Sequence, residues 1–265
     1  MQPAVQRLVV ILALCGIAAL AAGCGGSGGA KRTSTATSTA VTARAATPEA
    51  TATAPTGPAQ VIRHGDGGRK AVALTFDAGS DAGYTSQILD TLSANHIVAA
   101  FGMTGQFAER YSPLVTRIAA EGHRLINHTY DHRSFTGYST DAGPLSQAER
   151  WTELDRTEAI IQQLTGATTL PYFRPPYGDY DAGVNADVGA RGYRYNVMWT
   201  VDSFGWRGLS ADEIVQRCLA MAEPGAIYIF HVGSQSQDGP ALQRVIDGLR
   251  AAGYSFVPVS NFAPR

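Results

Sequence analysis

The sequence predicts an α/β fold with a parallel sheet, and three observations carry that prediction. Short apolar runs alternate with stretches of helical spacing from about residue 71 onward. Six or seven such runs fit into about 200 residues, which suits a distorted (β/α) barrel of about seven strands; an open doubly wound sheet is the alternative. Polar residues capable of chemistry, Asp77, His128, Arg174, Asp202 and His231, fall at or just past the ends of the runs. Catalytic groups gather at the C-terminal ends of strands in such folds.

The elements follow in order. Ala71 to Phe76 reads as a buried strand ending at Asp77, and Tyr84 to Asn95 has helical spacing through Ile88, Leu89 and Leu92. Val98 to Met103 is a second strand and Phe107 to Ala120 a second helix. The strand Arg124 to Asn127 leads into His128-Thr129-Tyr130-Asp131-His132, and a long helix runs from Leu145 to Leu164. Short strands follow near residues 171–174, 194–201 and 226–230, with helices at 181–190, 210–222 and 239–251 and a last strand at 254–259. No glycine-rich nucleotide fingerprint or phosphate loop follows any strand.

The N-terminal segment has a different character. Leu8 to Ala22 is apolar and uncharged after Arg7, and it is shorter than the ~20 residues a bilayer span needs, so it reads as a secretory signal. Small residues directly before Cys24 resemble a bacterial lipobox, so residues 1–23 are expected to be removed and Cys24 lipidated. The expected location is the outer face of the cell membrane, with plain secretion as the alternative. Residues 25–60 are rich in Ala, Thr, Ser, Pro and Gly without an aromatic residue, which predicts a disordered tether. Residues 61–265 are the expected catalytic domain. Of three cysteines, Cys15 lies in the signal and Cys24 at its end, which leaves Cys218 as a buried hydrophobe without a disulfide. A net charge of −1 gives no basic surface for nucleic acid, and no obligate protein partner is expected.

His128 and His132 stand four residues apart after a strand. If the intervening residues coil into one helical turn, both imidazoles point the same way and form half a site for a borderline divalent metal. By itself such a pair is more often a surface or capping feature than a ligand pair. Asp77 could likewise be a helix N-cap, Arg174-Pro175-Pro176 a rigid turn, and His231 a core histidine.

The ordered set narrows the reading. Thr75-Phe76-Asp77-Ala78-Gly79, His128-Thr129-Tyr130-Asp131-His132, Arg174-Pro175-Pro176-Tyr177-Gly178, Trp199 to Trp206, and Ile229-Phe230-His231 together resemble the polysaccharide deacetylase family. That family includes chitin and peptidoglycan N-deacetylases and acetylxylan esterases. The resemblance implies a distorted (β/α) barrel and metal-assisted hydrolysis of an acetamide or acetyl ester. It implies Asp77 as the base, His128 and His132 as metal ligands, and Arg174 as the partner of Asp77. It further implies the Tyr177 N–H as a donor to the oxyanion and His231 as the acid. The ion is expected to be Zn2+, with Co2+, Ni2+ or Mn2+ as alternatives. Trp206 and Tyr130 are the expected sugar-stacking residues.

Two positions depart from the family pattern. The carboxylate that directly follows the base, the third metal ligand, is replaced by Ala78, and the nearby Asp81 is expected to be brought round in its place. The family's Asp before the last tryptophan, which the resemblance implies orients the motif's arginine and tunes the catalytic His, is Gly205 here, and Asp202 is expected to take over that task beside Arg174 and His231. The implied function is removal of N-acetyl groups from an aminosugar polymer, peptidoglycan ahead of a chitin-like glycan. The alternatives are an O-acetyl esterase and a catalytically silent carbohydrate-binding lipoprotein.

Overall fold

The computed structural model describes residues 57–79 and 81–264. Its strands are β1 (Gln60–Ile62), β2 (Ala71–Ala78), β3 (Ala100–Met103), β4 (Arg124–Asn127), β5 (Tyr172–Phe173), β6 (Tyr195–Val197), β7 (Val201–Asp202), β8 (Ile227–His231) and β9 (Ser255–Phe256). They pair in the order β1-β6-β5-β4-β3-β2-β8-β7, with β9 joining β2, and every ladder between them is parallel. The sheet curls into a distorted (β/α) half-barrel, as expected.

Seven helices cover the outside of the described region: α1 (Thr85–Ala94), α2 (Gly105–Arg110), α3 (Ser112–Ala120), α4 (Gln147–Thr165), α5 (Ala182–Ala190), α6 (Ala211–Ala220) and α7 (Asp238–Ala251). Both α4 and α6 start at capping boxes, Ser146 with Glu149 and Ser210 with Glu213. Among the described residues, no helix is long and apolar enough to cross a membrane.

β2 is the axis of the domain. All eight of its residues are buried, because its two faces meet different cores. Val72, Leu74, Phe76 and Ala78 pack outward against the helices with Leu89, Leu242 and Ile246. Ala73 points inward with Ala100, Ile126, Val197 and Ile227. Phe76 stacks between its cross-strand partners Phe101 and Phe230, at centroid distances of 5.2 and 5.4 Å. The next step of the same register sets Asp77 between Gly102 and His231.

Four boundaries differ from the sequence reading. The folded chain begins before residue 61: Ala59 is buried against Phe135, Phe173 and Tyr193, and Gln60 opens β1. Three strand residues are too few to show an alternation. The rest of the expected tether, the signal and Cys24 lie outside the described residues. The helix expected at 107–120 breaks at Tyr111 into α2 and α3 ahead of Ser112-Pro113, since proline lacks the N–H that a continuous helix needs. The strand expected at 194–201 divides into β6 and β7. Between them Met198 N–H bonds Ile62 O and Thr200 N–H bonds Ile227 O, so this segment passes from one edge of the curled sheet to the other. The last strand shortens to β9 before Pro258. Cys218 is buried, and burial pushes its thiol well above the ordinary range.

Candidate active site

Asp77 projects from the C-terminal end of β2 into the barrel mouth. Its Oδ1 accepts a 2.6 Å hydrogen bond from Arg174 Nη1, and both side chains are buried. Arg174 leaves β5 after Phe173. Its Nη2 donates to Thr75 Oγ1 at 2.9 Å and its Nε to Val197 O at 2.8 Å. All three faces of the guanidinium are therefore held, which matches the rigid fork of arginine. Burial alone would raise the Asp77 carboxyl, but Arg174, His128 and His231 together bring it below the usual carboxylate range. Room for the carboxylate comes from Gly102, where a Cβ would lie 2.5 Å from Asp77 Oδ1. Thr75 and Gly102 were not singled out by the sequence. The strand alternation that places residues 75 and 77 on one face is the signal that could have found Thr75.

The His pair comes together, though not through a helical turn. Beyond β4, Thr129 and His132 adopt left-handed φ of 67° and 65°. Side chains hold this loop: Asn127 Oδ1 accepts the Thr129 N–H, Glu153 Oε2 accepts those of Tyr130 and Asp131, and Thr129 Oγ1 accepts that of His132. These acceptors replace the intrahelical carbonyls, so no helix is required. The imidazoles meet edge to face at 4.8 Å. His128 Nδ1 donates to Arg174 O at 2.9 Å, which directs Nε2 toward Asp77 Oδ2, 3.4 Å away. Burial, opposed by Asp77, lowers His128 below its ordinary value. Burial and the neighbouring His128 bring His132 down to about 3.

A cavity of about 790 Å³ opens above these groups, lined by Asp77, His128, His132, Tyr177, Trp206 and His231, among others. Tyr177 sits in a 3-10 turn, Pro176–Gly178, with a left-handed φ of 61°, and its ring meets His132 at 4.7 Å. Trp206 is half exposed on the rim, and its indole N–H donates to Asp202 at 3.2 Å. The same Asp202 carboxylate accepts the Phe204 N–H. Asp202 therefore shapes the Trp206 rim instead of taking up the task expected of it beside Arg174 and His231.

Two further expectations are corrected. Asp81 is not brought to the imidazoles. Its oxygens accept the backbone N–H and hydroxyl of Ser234 at 2.8 and 2.7 Å, which ties the loop after β2 to the loop after β8. Tyr130 does not line the cavity. Its hydroxyl donates to Glu109 and the Arg156 guanidinium lies 3.4 Å above its ring, so its stacking face is taken by a cation.

The donor set fits a divalent ion through its two imidazoles. Both are held in the neutral form that ligates, and the second nitrogen of His128 is anchored to a carbonyl. The protein supplies no third side chain by the expected route. Ala78 faces the outer core, and among the described residues no three His, Cys, Asp or Glu side chains converge as a metal-binding group.

Comparisons with known proteins show the family and the fold. A family model described as polysaccharide deacetylase matches residues 64–196. The chain is 33% identical over 193 residues to a peptidoglycan-N-acetylglucosamine deacetylase of Bacillus cereus, covering 72% of this chain and 67% of that protein. It is 30% identical over 195 residues to the peptidoglycan-N-acetylmuramic acid deacetylase PdaA of Bacillus subtilis, covering 72% and 71%. Among solved structures, BA3943 of Bacillus anthracis, a CE4 family pseudoenzyme, superposes with a TM-score of 0.69 at 26% identity over 78% of this chain and 69% of that one.

Proposed function

This chain belongs to the polysaccharide deacetylase family, and from that premise we propose that it hydrolyses N-acetyl groups on the aminosugars of peptidoglycan. The single observation that carries the reading is the convergence of Asp77, Arg174, His128, His132 and His231 in and around one open cavity. A fold neighbour that is a pseudoenzyme means that the fold alone does not carry activity; the reading rests on the side chains that converge here, with two imidazoles and no third protein ligand among the described residues. Relatives named as peptidoglycan deacetylases support that polymer, and relatives named as chitooligosaccharide deacetylases, 32% and 30% identical, keep a chitin-like glycan as the alternative. The apolar run before Cys24 supports an exported, lipid-anchored enzyme placed next to the cell wall.

The chemistry follows from the positions of the side chains. Water attacks the acetamide carbonyl, acetate leaves, and the sugar nitrogen departs as an amine. Asp77, kept ionised and aimed by Arg174, accepts the proton of the attacking water. His231, one strand away in register with Asp77, protonates the departing nitrogen. The Tyr177 N–H faces the developing oxyanion, and Trp206 offers a flat apolar face to a sugar ring. His128 and His132 would hold a divalent ion, Zn2+ ahead of Co2+, Ni2+ or Mn2+, which when bound polarises the carbonyl and acidifies water.

Acetate release from peptidoglycan fragments tests the reading, measured with and without a chelator and alongside Asp77→Asn. Release abolished by both changes is expected. Release that survives both removes the mechanism, and an absence of release from any acetylated glycan removes the function.

A further inference from the structure

Asp238 opens α7 directly behind the site and is fully buried. Its Oδ2 accepts the His231 backbone N–H at 2.7 Å and the Ser236 hydroxyl at 2.7 Å. Two buried atoms beside this contact have no protein partner: Asp238 Oδ1 and His231 Nδ1. His231 Nδ1 lies 4.0 Å from Asp238 Oδ2, about one ångström beyond hydrogen-bond reach. Buried polar atoms rarely stay unpaired, and these two complement each other as donor and acceptor. Gly205 provides the space. A Cβ at that position would lie 2.2 Å from Ser236 Oγ and 2.7 Å from Asp238 Oδ1. Gly205 has an ordinary negative φ, so its lack of a side chain serves this packing and not a strained turn. Asp202 is excluded from the role because its carboxylate is bound to Phe204 and Trp206.

We propose that Asp238 is the positioning residue for His231, accepting the Nδ1 proton and presenting Nε2 to the departing nitrogen. It does so from α7, occupying the volume that a side chain at residue 205 would otherwise fill. The inference rests on the reading of His231 as the acid. Burial raises the Asp238 carboxyl, while the His231 N–H and the hydroxyls of Ser236 and Ser203 oppose the shift. An ionised carboxylate so placed gains most when its neighbour carries a proton, and the acid form of His231 provides that charge. The other titratable or charged groups around His231 are Asp77 on β2, His128 and His132 after β4, and Asp202 and Arg207 across the cavity. Asp238 is the one bonded to the His231 backbone.

The test compares Asp238→Asn and His231→Ala in the full-length protein, with acetate release from an N-acetylglucosamine oligomer measured across pH. Asparagine retains an acceptor for the His231 N–H, and circular dichroism checks the fold. Asp238→Asn is expected to lower kcat at least about tenfold with KM within about twofold. The alkaline limb of kcat should move to lower pH, because an imidazole without its carboxylate binds its proton less tightly. Wild-type kcat and pH profile in Asp238→Asn, with His231→Ala inactive, would overturn the inference and leave the acid assignment standing. A loss in Asp238→Asn with the limb unmoved would reduce Asp238 to a structural cap, and overturn it too. Full activity in His231→Ala would overturn both readings.

Discussion

Arg174 and Asp77 form a buried ion pair, Nη1 to Oδ1 at 2.6 Å, that joins two strands on either side of the barrel mouth. The two halves of the pair are not equivalent. Asp77→Asn leaves Arg174 bonded to Thr75 and Val197, so the fold should persist while kcat falls by about 10²–10⁴, the usual worth of a general base. Arg174→Met strands a buried carboxylate. Unfolding in urea should show a loss of about 3–5 kcal/mol at neutral pH. Equal stability of the two variants would mean that the pair does not hold the mouth together.

Acid stability should depend on a histidine remote from the site. His123 is buried at the start of β4, and its Nδ1 accepts the Ala99 N–H at 3.2 Å. Burial lowers its pKa, partly offset by Glu121. The unfolded chain therefore binds a proton that the folded state refuses. This contribution is complete above the unfolded value of about 6.5 and fades as pH falls toward the lower folded value. Urea unfolding at pH 7.5 and pH 5 should show wild type losing stability on the order of 1 kcal/mol more than His123→Gln, which has no such proton. A matching pH slope in the two proteins would refute the assignment.

Much of this site was legible because it rides on strand ends. The apolar run before Asp77 marks β2, and the alternation of a strand decides which face Asp77 takes. Arg174 and His231 are legible for the same reason. What escaped depends on contacts distant in sequence. Gly102 is required by a carboxylate 25 residues earlier (102 − 77 = 25), and no local pattern encodes it. Asp238 lies just outside the helix expected at 239–251, and only the fold brings it behind His231. The non-helical path of the His-pair loop has no local signal, because its acceptor Glu153 lies on α4, more than twenty residues along the chain.

Metal binding should not depend on Asp81. Its carboxylate is bonded twice to Ser234, and these bonds hold it below the ordinary carboxylate range. Asp81→Ala should bind Zn2+ as tightly as wild type by calorimetry and lose about 1 kcal/mol of stability from the broken loop tie. His132→Ala should bind the ion at least tenfold more weakly, since an imidazole is removed outright. A tenfold loss of affinity in Asp81→Ala would restore that residue as the third ligand.

Trp206 should act on binding and leave the chemical step alone. It stands half exposed at the rim, steadied by Asp202 through its indole N–H and by Arg207, whose guanidinium carbon lies 4.7 Å from the ring centroid. No atom of this arrangement is bonded to Asp77 or His231, so the ring can hold a sugar without touching the proton transfers. An aromatic contact of this kind is worth about 0.5–1.5 kcal/mol beyond its buried area. Trp206→Ala should therefore raise KM for a glycan oligomer roughly three- to tenfold with kcat nearly unchanged. Trp206→Phe should recover part of that loss, because it restores a face but not the bond to Asp202. A fall in kcat at constant KM would instead place Trp206 among the groups that act on the transition state.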